Sequence, residues 1–404
     1  MQQQKLRILH VSPSYKPAYC YGGPILSVSR LCEAANNGTY NLECDVFTTT
    51  ANGVTELDLR GKHIIDGVPV HFYPRITGDH THFSPALLYG LHRYLRTACK
   101  KQMALVVHIH SWWNLVAVFA AMLVILHRVP LIISPRGMIT SYTRTFRNTF
   151  FKQLVHLTFG KYLLRKAVLH ATTALEAEGI NRNSGASYIR VIPNLLTNAT
   201  FDRPELEIQE TDKLKPTKQS TGCSASDFRI LFLSRIDQKK GLDILLKALS
   251  VVTFHWTLTI AGTGNSRYIR HLKQLSGSLK VSGKIKWVGQ ISNEDKYSLM
   301  AKHDLLVLPS SNENFGNVVL ESLLAGTAVL VSDQVGLAAY VSEANLGWVC
   351  PATSEDIAVQ LSNIHKDLSK RNRIRECGAR QVQSDFNTHS IMSEYLNMYQ
   401  DLIR

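Results

Sequence analysis

The chain has 404 residues, a formal net charge of +14 and a hydrophobic content of 45%. This hydrophobic content is ordinary for a globular protein, and the length predicts two or three domains with substantial cores. Its seven cysteines show neither CxxC pairs nor regular spacing, which argues against a disulfide framework or a zinc site. We therefore expect a reducing, cytoplasmic compartment.

The apolar segments predict neither a secretory signal nor a membrane-spanning helix. The first residues, MQQQKLRILHVSPSY, lack an apolar h-region followed by a small-residue cleavage site. The longest apolar run covers residues 115–126. Since a helix that spans a bilayer needs about 20 apolar residues, this run predicts a buried helix instead.

Strands and helices alternate through the first half of the chain. We predict strands at 5–11, 44–49, 67–73, 105–109, 131–134, 168–171 and 188–192. Helices are predicted at 24–36, 85–101, 113–127 and 145–166, and a further one begins near 175. Such alternation is typical of a parallel sheet that is covered by helices on both faces.

The composition changes between the two halves. Residues 201–227 are rich in Thr, Lys, Glu, Pro and Ser and poor in large apolar residues, which predicts a linker. A strand restarts at Phe228, and the alternation resumes. We therefore predict a first domain over 1–200 and a second over 228–385, with a last helix within 386–404 that packs back onto the first.

One stretch of the second half, residues 304–331, is the strongest candidate for a ligand site. A short buried strand is followed by a polar loop that holds Glu313, then by Gly316 and a helix that carries Glu321. Ligands of parallel α/β sheets bind at such loops, and the amides of a helix N-terminus bind phosphate. Were the span wholly helical, the two glutamates would lie about 12 Å apart, which suits opposite ends of one ligand. A turn with two solvated glutamates is the alternative.

Two further segments of the second half follow predicted strands. Arg235 and Lys240, in SRIDQKKG, can neutralise a diphosphate at the end of the strand that begins at Phe228. Gly262 lies in the turn AGTG, which resembles a dinucleotide fingerprint, but position 267 is Arg where G-x-G-x-x-G requires glycine. A NAD-binding site is therefore rejected.

Candidate residues in the first half also lie at strand ends. Gly22 and Gly23 precede the helix that starts with Pro24, and they either admit a ligand to its N-terminus or form a flexible turn. His108 and His110 share one face of a strand. His110 suits contact with a sugar or packing in the core; a metal pair is disfavoured because no third ligand has suitable spacing. Arg136 lies in the SPRGM loop, where it can bind phosphate or an acceptor.

The segment ENFGNVVLE resembles the signature of the retaining GT-B glycosyltransferases that build bacterial polysaccharides. The resemblance covers nearly the whole chain. It implies an α/β GT-B fold, in which two Rossmann-like domains face a central cleft. By this resemblance Glu313 contacts the donor sugar, Glu321 holds the ribose, and Arg235 and Lys240 bind the diphosphate. The same resemblance implies donor contacts for these residues: Gly22, Gly23, Gly262, Asn314, Phe315, Gly316 and Asn317.

Departures from the family pattern fall mainly in the first half. Many relatives carry a histidine in the loop where this chain has Arg136, which leaves open whether His110 or Arg136 takes its place. Relatives also show Pro-Asn-Gly where this chain has Pro193-Asn194-Leu195. These changes alter turns and leave the remaining motifs intact.

We therefore expect a retaining glycosyltransferase that moves a sugar from a nucleotide-sugar donor to an acceptor hydroxyl, without a metal or other cofactor. No Asp-x-Asp metal motif is present in the sequence. A GT-B nucleotide-sugar epimerase and a catalytically silent nucleotide-sugar-binding subunit are the alternatives.

The charge of the first half predicts where the enzyme works. Between His80 and Leu175 the sequence has no Asp or Glu. Basic amphipathic helices bind anionic bilayers, whereas no nucleic-acid motif accompanies this charge. We expect a peripheral position on the inner face of the membrane and a lipid-linked glycan acceptor; a solvated basic face is the alternative. The basic residues of this span are Arg93, Arg96, Lys100, Lys101, Arg128, Arg136, Arg144, Arg147, Lys152, Lys161, Arg165 and Lys166.

Overall fold

The computed structural model describes residues 5–79, 81–139, 159–196 and 227–403. The chain divides into two compact units. Unit 1 comprises Met1–Leu196 and Phe386–Arg404, and unit 2 comprises Thr197–Asp385. Of the predicted linker 201–227, all but Asp227 lies outside the described residues, as does most of the predicted helix 145–166.

Unit 1 is built on a sheet of eight strands in the order β10-β9-β8-β7-β1-β2-β6-β5. Its strands are β1 (Leu6–Ser12), β2 (Leu42–Thr49), β5 (Gly61–Ile65), β6 (Val68–Tyr73), β7 (Leu105–His110), β8 (Leu131–Ser134), β9 (Val168–Ala171) and β10 (Ile189–Val191), and a separate small hairpin pairs β3 (Ala51–Asn52) with β4 (Thr55–Glu56). Its helices are α1 (Gly23–Asn36), α2 (Pro85–Lys100), α3 (Leu115–Leu126), α4 (Lys161–Lys166) and α5 (Ala174–Ser184).

Unit 2 is built on a sheet of six strands in the order β13-β12-β11-β14-β15-β16, and every neighbouring pair is parallel. Its strands are β11 (Phe228–Leu233), β12 (Trp256–Ala261), β13 (Ile285–Gly289), β14 (Leu305–Leu308), β15 (Ala328–Ser332) and β16 (Gly347–Cys350). Its helices are α6 (Leu242–Val251), α7 (Ser266–Ser278), α8 (Asn293–Ala301), α9 (Asn317–Leu324), α10 (Ala338–Glu343), α11 (Ser354–Lys366) and α12 (Leu368–Asp385).

Local sequence explains most of these boundaries. The central strands β7, β8, β14 and β15 are buried at every position, as continuous apolar runs in parallel sheets require. Helices begin at side chains that accept a hydrogen bond from the first turn. Ser84 caps α2, Asn114 caps α3 and Thr173 caps α5 in this way. The predicted α/β class with parallel sheets is confirmed.

Unit 1 has two further features, one at the edge of its sheet and one at the end of the chain. β5 was not predicted, and it pairs with β6 as an antiparallel edge strand. The last helix, α13 (Thr388–Asp401), lies in unit 1, where Tyr395 and Tyr399 are buried against the histidines of the sheet. Among the described residues, no helix combines the length and the apolar character that crossing a bilayer would require.

Each sheet contains a point at which the strand order reverses. In unit 1 the chain passes from β1 to β2 on one side and later to β7 on the other. In unit 2 it passes from β11 to β12 on one side and later to β14 on the other. The loops that leave the carboxyl ends of such strand pairs diverge and open a crevice, which is where ligands bind in this class of fold.

Candidate active site

In unit 2 the two predicted cations and the first glutamate lie at the reversal point. Arg235 and Lys240 follow β11, and Glu313 follows β14, its neighbour in the sheet. Nζ of Lys240 contacts Oε2 of Glu313, and the side chains are only 11% and 20% exposed. Arg235 is exposed at the same strand end. The structure therefore brings Lys240 and Glu313 together and leaves Arg235 facing solvent.

A third cation, Lys239, belongs to this cluster. Burial is the main reason that the pKa of Lys239 lies below its usual value, and the neighbouring charge of Lys240 adds to the effect. The backbone carbonyl of Lys239 accepts a hydrogen bond from the Ser311 amide at 2.8 Å. This bond ties the loop after β11 to the loop after β14, so the cations stay beside Glu313.

Glycines allow the loops at this edge to touch through their backbones. Gly262 has a φ of +137°, and a Cβ atom at this position would lie 1.9 Å from the carbonyl oxygen of Ser234. Gly241 has a φ of +69°, and its Cβ would lie 2.1 Å from the carbonyl oxygen of Pro309. Any other residue would push these loops apart. Gly262 thus shapes the edge of the site.

The loop before α9 presents backbone to the same edge. Gly316 takes a left-handed conformation, with φ at +90°, and α9 starts at the next residue, Asn317. Phe315 is 4% exposed and anchors the loop. The Glu313 amide donates to the Gln334 carbonyl, and the Gly336 amide donates to the Glu313 carbonyl. Glu313 therefore lies outside the helix, so the spacing of a wholly helical segment does not apply, and Asn314 shares the anchored loop.

The second glutamate lies inside α9 and has a partner that the sequence did not reveal. Glu321 is 6% exposed, and its Oε1 lies 2.8 Å from Nζ of Lys296 in α8. Lys296 is itself 9% exposed. In the sequence Lys296 stands among the charged residues of NEDK, and nothing in this pattern distinguishes it from a lysine exposed to solvent.

In unit 1 the candidate residues lie at the ends of neighbouring strands. Gly22 and Gly23 are exposed at the start of α1, after β1. His110 ends β7, and Arg136 follows β8. Arg136 donates to Asn194 Oδ1 at 2.6 Å and to Ser27 Oγ at 3.3 Å, while its Nη2 lies 3.5 Å from His110 Nδ1. The two candidates for the family histidine position are therefore in contact.

His110 and Arg136 differ in how far their side chains are exposed to solvent. His110 is 2% exposed, and its Nε2 lies 2.9 Å from Nδ1 of His10. Both of its ring nitrogens thus have neighbours inside the protein. Arg136 is only half-buried. These contacts favour His110 as a residue that orients Arg136, whereas Arg136 is able to reach a ligand.

A buried glutamate holds the Arg136 loop in place. Glu176 is 3% exposed and accepts hydrogen bonds from the amide of Gly137 at 2.6 Å and from the amide of Thr172 at 2.7 Å. It thereby connects the loop after β8 to the end of β9. Glu176 was not predicted as a site residue, because one glutamate in a helical first turn is most simply a capping residue.

Four buried histidines, His10, His108, His110 and His170, form one cluster, which contacts the Arg136 loop through His110. Parallel pairing of β1 with β7 sets His10 beside His108, and His108 and His110 have ring centroids 4.3 Å apart. Ser134 Oγ lies 2.6 Å from His108 Nε2 and 2.6 Å from His170 Nδ1. Burial holds the pKa of His108 and His110 well below the usual value and lowers that of His170 to about 3. These three are therefore neutral near pH 7.

Among the described residues, two groups of buried side chains have the spacing of metal ligands. The first is His10, His108 and His110, and the second is His10, Cys32 and Cys44; within each group the ligand atoms lie within 4.8 Å of one another. The expectation that the histidine pair lacks a third ligand is therefore wrong, because His10 supplies one from the neighbouring strand. In the present arrangement His108 uses both ring nitrogens, towards Tyr399 and Ser134.

Comparison with known proteins gives matches over both halves of the chain. Residues 215–381 match the family model of glycosyl transferases group 1, and residues 22–195 match that of the glycosyl transferase 4-like domain. Together the two matches cover most of the sequence.

Two of the similar curated proteins show how much of the chain such matches cover. An uncharacterised glycosyltransferase of Methanocaldococcus jannaschii is 29% identical over 54% of this chain and 55% of its own. A lipopolysaccharide core biosynthesis glycosyltransferase of Rhizobium meliloti is 28% identical over 42% of this chain and 48% of its own. The chain thus spans about half the length of the curated relatives it matches.

Among solved structures, Anabaena HepE in complex with UDP-glucose is similar with a TM-score of 0.70 and 19% identity. The alignment covers 98% of this chain and 100% of that protein. At a sequence identity of 19%, this structural similarity shows that the two proteins share a fold.

The neutral histidines predict how stability depends on pH. Below about pH 6.5 these histidines bind protons in the unfolded chain, whereas buried His108, His110 and His170 do not take them up in the folded protein. The free energy of unfolding should therefore decrease as the pH is lowered. Each such group contributes a slope of about 1.4 kcal/mol per pH unit. Chemical denaturation between about pH 7.5 and about pH 5 measures this slope. His110→Gln should reduce it; a stability that stays constant over this range would contradict the assignment.

Proposed function

Because the chain belongs to the group 1 glycosyltransferases, we propose that it transfers a sugar from a nucleotide-sugar donor to an acceptor hydroxyl. The observation that carries this proposal is the cluster at the reversal point of unit 2. There Arg235, Lys240 and Glu313 lie at the carboxyl ends of the two strands that flank the reversal. Cations beside one anchored carboxylate suit a ligand that has both phosphates and sugar hydroxyls.

In the proposed donor complex, Lys240 and Arg235 bind the diphosphate, and the amides around Gly316 contribute to the same site. Glu313 accepts hydrogen bonds from the sugar, and Glu321 accepts them from the ribose. The occurrence of UDP-glucose in the similar Anabaena protein supports a nucleotide sugar as donor.

We propose that the transfer retains the anomeric configuration. The acceptor hydroxyl attacks the anomeric carbon on the face that the diphosphate leaves, as the C–O bond to the diphosphate breaks. The proton of the acceptor passes to a phosphate oxygen of the departing group. Arg235 and Lys240 stabilise the negative charge that develops on the diphosphate, which is the role that a metal ion takes in other transferases.

The acceptor is proposed to be a lipid-linked glycan at the cytoplasmic face of the membrane. Helices α2, α3 and α4 and their adjoining loops expose a set of cations, none of which forms an ion pair within the described part of the chain. Leu126 is 74% exposed and Tyr162 54% exposed on the same elements. The similar Rhizobium protein acts in lipopolysaccharide core synthesis, which supports a cell-surface glycan. The cations are Arg93, Arg96, Lys100, Lys101, Arg128, Lys161, Arg165 and Lys166.

Some apolar residues of this region are buried inside unit 1, and others are exposed to solvent. Leu87, Leu91 and Leu95 of α2 are fully buried, so the apolar face of α2 packs inside unit 1 and is not available to a bilayer. Leu126 of α3 and Phe159 and Tyr162 near α4 are exposed. Arg144, Arg147 and Lys152 lie outside the described residues. The proposed membrane surface therefore uses the exposed apolar residues of α3 and α4, and α2 contributes its exposed cations.

Turnover with radiolabelled donors tests the proposed function. Nucleotide sugars are first screened by thermal shift, because a ligand of the folded state raises its apparent stability. A transferase releases nucleoside diphosphate in proportion to a glycosylated product. An epimerase converts the donor without an acceptor product, and a silent binding subunit raises the melting temperature without turnover; either result would overturn the proposal.

The two glutamates should differ in their effect on this reaction. Glu313→Ala should lower kcat more than it raises KM for the donor, because its contacts are to the sugar that reacts. Glu321→Ala should chiefly raise KM, because the ribose is bound equally in the ground and transition states. Glu343→Ala, at an exposed position of unit 2, serves as the control. Equal, small effects from both substitutions would show that this loop is not the donor site.

Removing either cation should slow the reaction strongly. We expect Arg235→Ala and Lys240→Ala each to lower kcat/KM by about 10²-fold or more, since one transition-state partner is worth roughly 2.7–4 kcal/mol in comparable sites. Lys239→Ala should have a smaller effect. Activity should persist in excess chelator; a strict requirement for a divalent cation would contradict the proposed role of these side chains.

Co-sedimentation with liposomes tests the membrane surface. Binding should require anionic lipid and should fall as salt rises, because surface charges are then screened. Two triple variants should each weaken binding. One combines Arg144→Gln, Arg147→Gln and Lys152→Gln, and the other combines Arg128→Gln, Arg165→Gln and Lys166→Gln. The same charge loss in unit 2, by Lys280→Gln, Lys286→Gln and Lys302→Gln, should not weaken binding. Equal binding to neutral and anionic vesicles, or binding to neither, would rule out this surface.

A further inference from the structure

Helix α9 carries one carboxylate in an almost completely buried position. Val319, Leu320, Ser322 and Leu323 are buried around Glu321, which is itself 6% exposed. A carboxylate that loses its water without a partner is strongly destabilised. Nζ of Lys296 lies 2.8 Å from Oε1 of Glu321 and supplies the opposite charge.

The partner comes from a different element of unit 2. Helix α8 carries the chain from β13 at one edge of the sheet to β14 near its centre, and it packs against α9. Within α8 the acidic residues Glu294 and Asp295 are exposed, whereas Lys296 is 9% exposed. The fold thus directs this one charged side chain of NEDK inward, to Glu321.

Stability alone is a poor explanation for such a pair. Replacing a buried ion pair with apolar residues of similar size is often neutral or stabilising, because two charges no longer lose their hydration. A pair at the surface would be screened and worth little, but both of these side chains are about one-tenth exposed. Glu321 lies in the helix that follows β14, about one turn beyond the loop at the reversal point where the proposed donor binds. Its location favours a role in ligand binding.

We propose that Lys296 is a positioning residue that fixes the carboxylate of Glu321 for the hydroxyl groups of the donor ribose. This inference rests on the proposed function. A glutamate side chain in a helix has several rotamers, and the ion pair to Lys296 selects one of them. A fixed carboxylate accepts hydrogen bonds from the ribose without paying for its ordering when the ligand binds.

The consequence is selectivity for ribose over deoxyribose. Lys296 acts through Glu321, so its removal should weaken the interaction with the ribose hydroxyls and leave the diphosphate contacts at Lys240 unchanged. Because the ribose is bound alike in the ground and transition states, donor KM should rise with little change in kcat.

The test measures binding of nucleoside diphosphates, which requires no turnover. UDP, GDP and ADP are compared by calorimetry on the full chain, and the tightest binder is then compared with its 2′-deoxy and 3′-deoxy counterparts. The unsubstituted protein should bind the ribonucleotide about 10- to 100-fold more tightly than the deoxy forms, as hydrogen bonds to a charged group imply. Lys296→Met should weaken ribonucleotide binding by a similar factor and bring the ratio close to one.

Three further variants separate positioning from folding. Lys296→Arg retains the charge and should recover most of the selectivity. Lys302→Met removes an exposed lysine just after the same helix and should leave the ratio unchanged. Because Lys296→Met removes the positive charge beside a buried carboxylate, the double variant Lys296→Met with Glu321→Met is also measured. It should melt near the temperature of the unsubstituted protein and still lack selectivity.

The outcomes are distinct. If Lys296→Met or the folded double variant keeps the ribose-to-deoxyribose ratio of the unsubstituted protein, the positioning role is overturned, even if both ligands bind more weakly. If the unsubstituted protein binds none of the three diphosphates, the proposed function itself fails. If it binds ribonucleotide and deoxyribonucleotide equally, Glu321 does not hold the ribose. The inference and that one contact of the donor complex then fail, while the proposed transfer of a sugar stands.

Discussion

Parallel strands leave their carboxyl ends on one edge of a sheet, and a reversal of strand order separates the loops at that edge. Both units of this protein depend on that constraint. In unit 2 it places Lys240, which follows β11, beside Glu313, which follows β14. In unit 1 it places the histidine of β1 beside those of β7. The candidate residues are distant in sequence because adjacent central strands of such sheets are distant in sequence.

The candidate sites of the two units differ in the charge of their buried side chains. Unit 2 pairs charges: Lys240 with Glu313 and Lys296 with Glu321. The histidine cluster of unit 1 is instead neutral, since burial depresses the pKa of His108 and His110 and the rings bond to hydroxyls and to one another. Charged pairs near Glu313 can exchange partners with an anionic ligand. A neutral histidine cluster offers no such charge, and its contact with Arg136 is through His110.

This contrast assigns different roles to residues that look alike in sequence. His110 and Glu313 both end or follow a central strand, yet His110 is 2% exposed while the Glu313 side chain is 20% exposed. Similarly, Lys296 and Lys302 lie in or next to one helix, and only Lys296 is buried. Access to solvent, together with the partner of each group, decides which of them a ligand can reach.

The sequence by itself determined the α/β class, the order of the elements and the GT-B fold, which is confirmed. Apolar runs, capping residues and glycines are local signals, and they were sufficient to predict the strand before Glu313 and the helix that carries Glu321. The antiparallel β5 was not predicted, because GKHII alternates too weakly at an exposed edge. The tertiary structure alone decided which distant residues meet. His10 joins His110, Glu176 holds the Arg136 loop and Lys296 reaches Glu321. Such contacts depend on strand order and helix packing, and the periodicity of a segment carries no information about its neighbours in space.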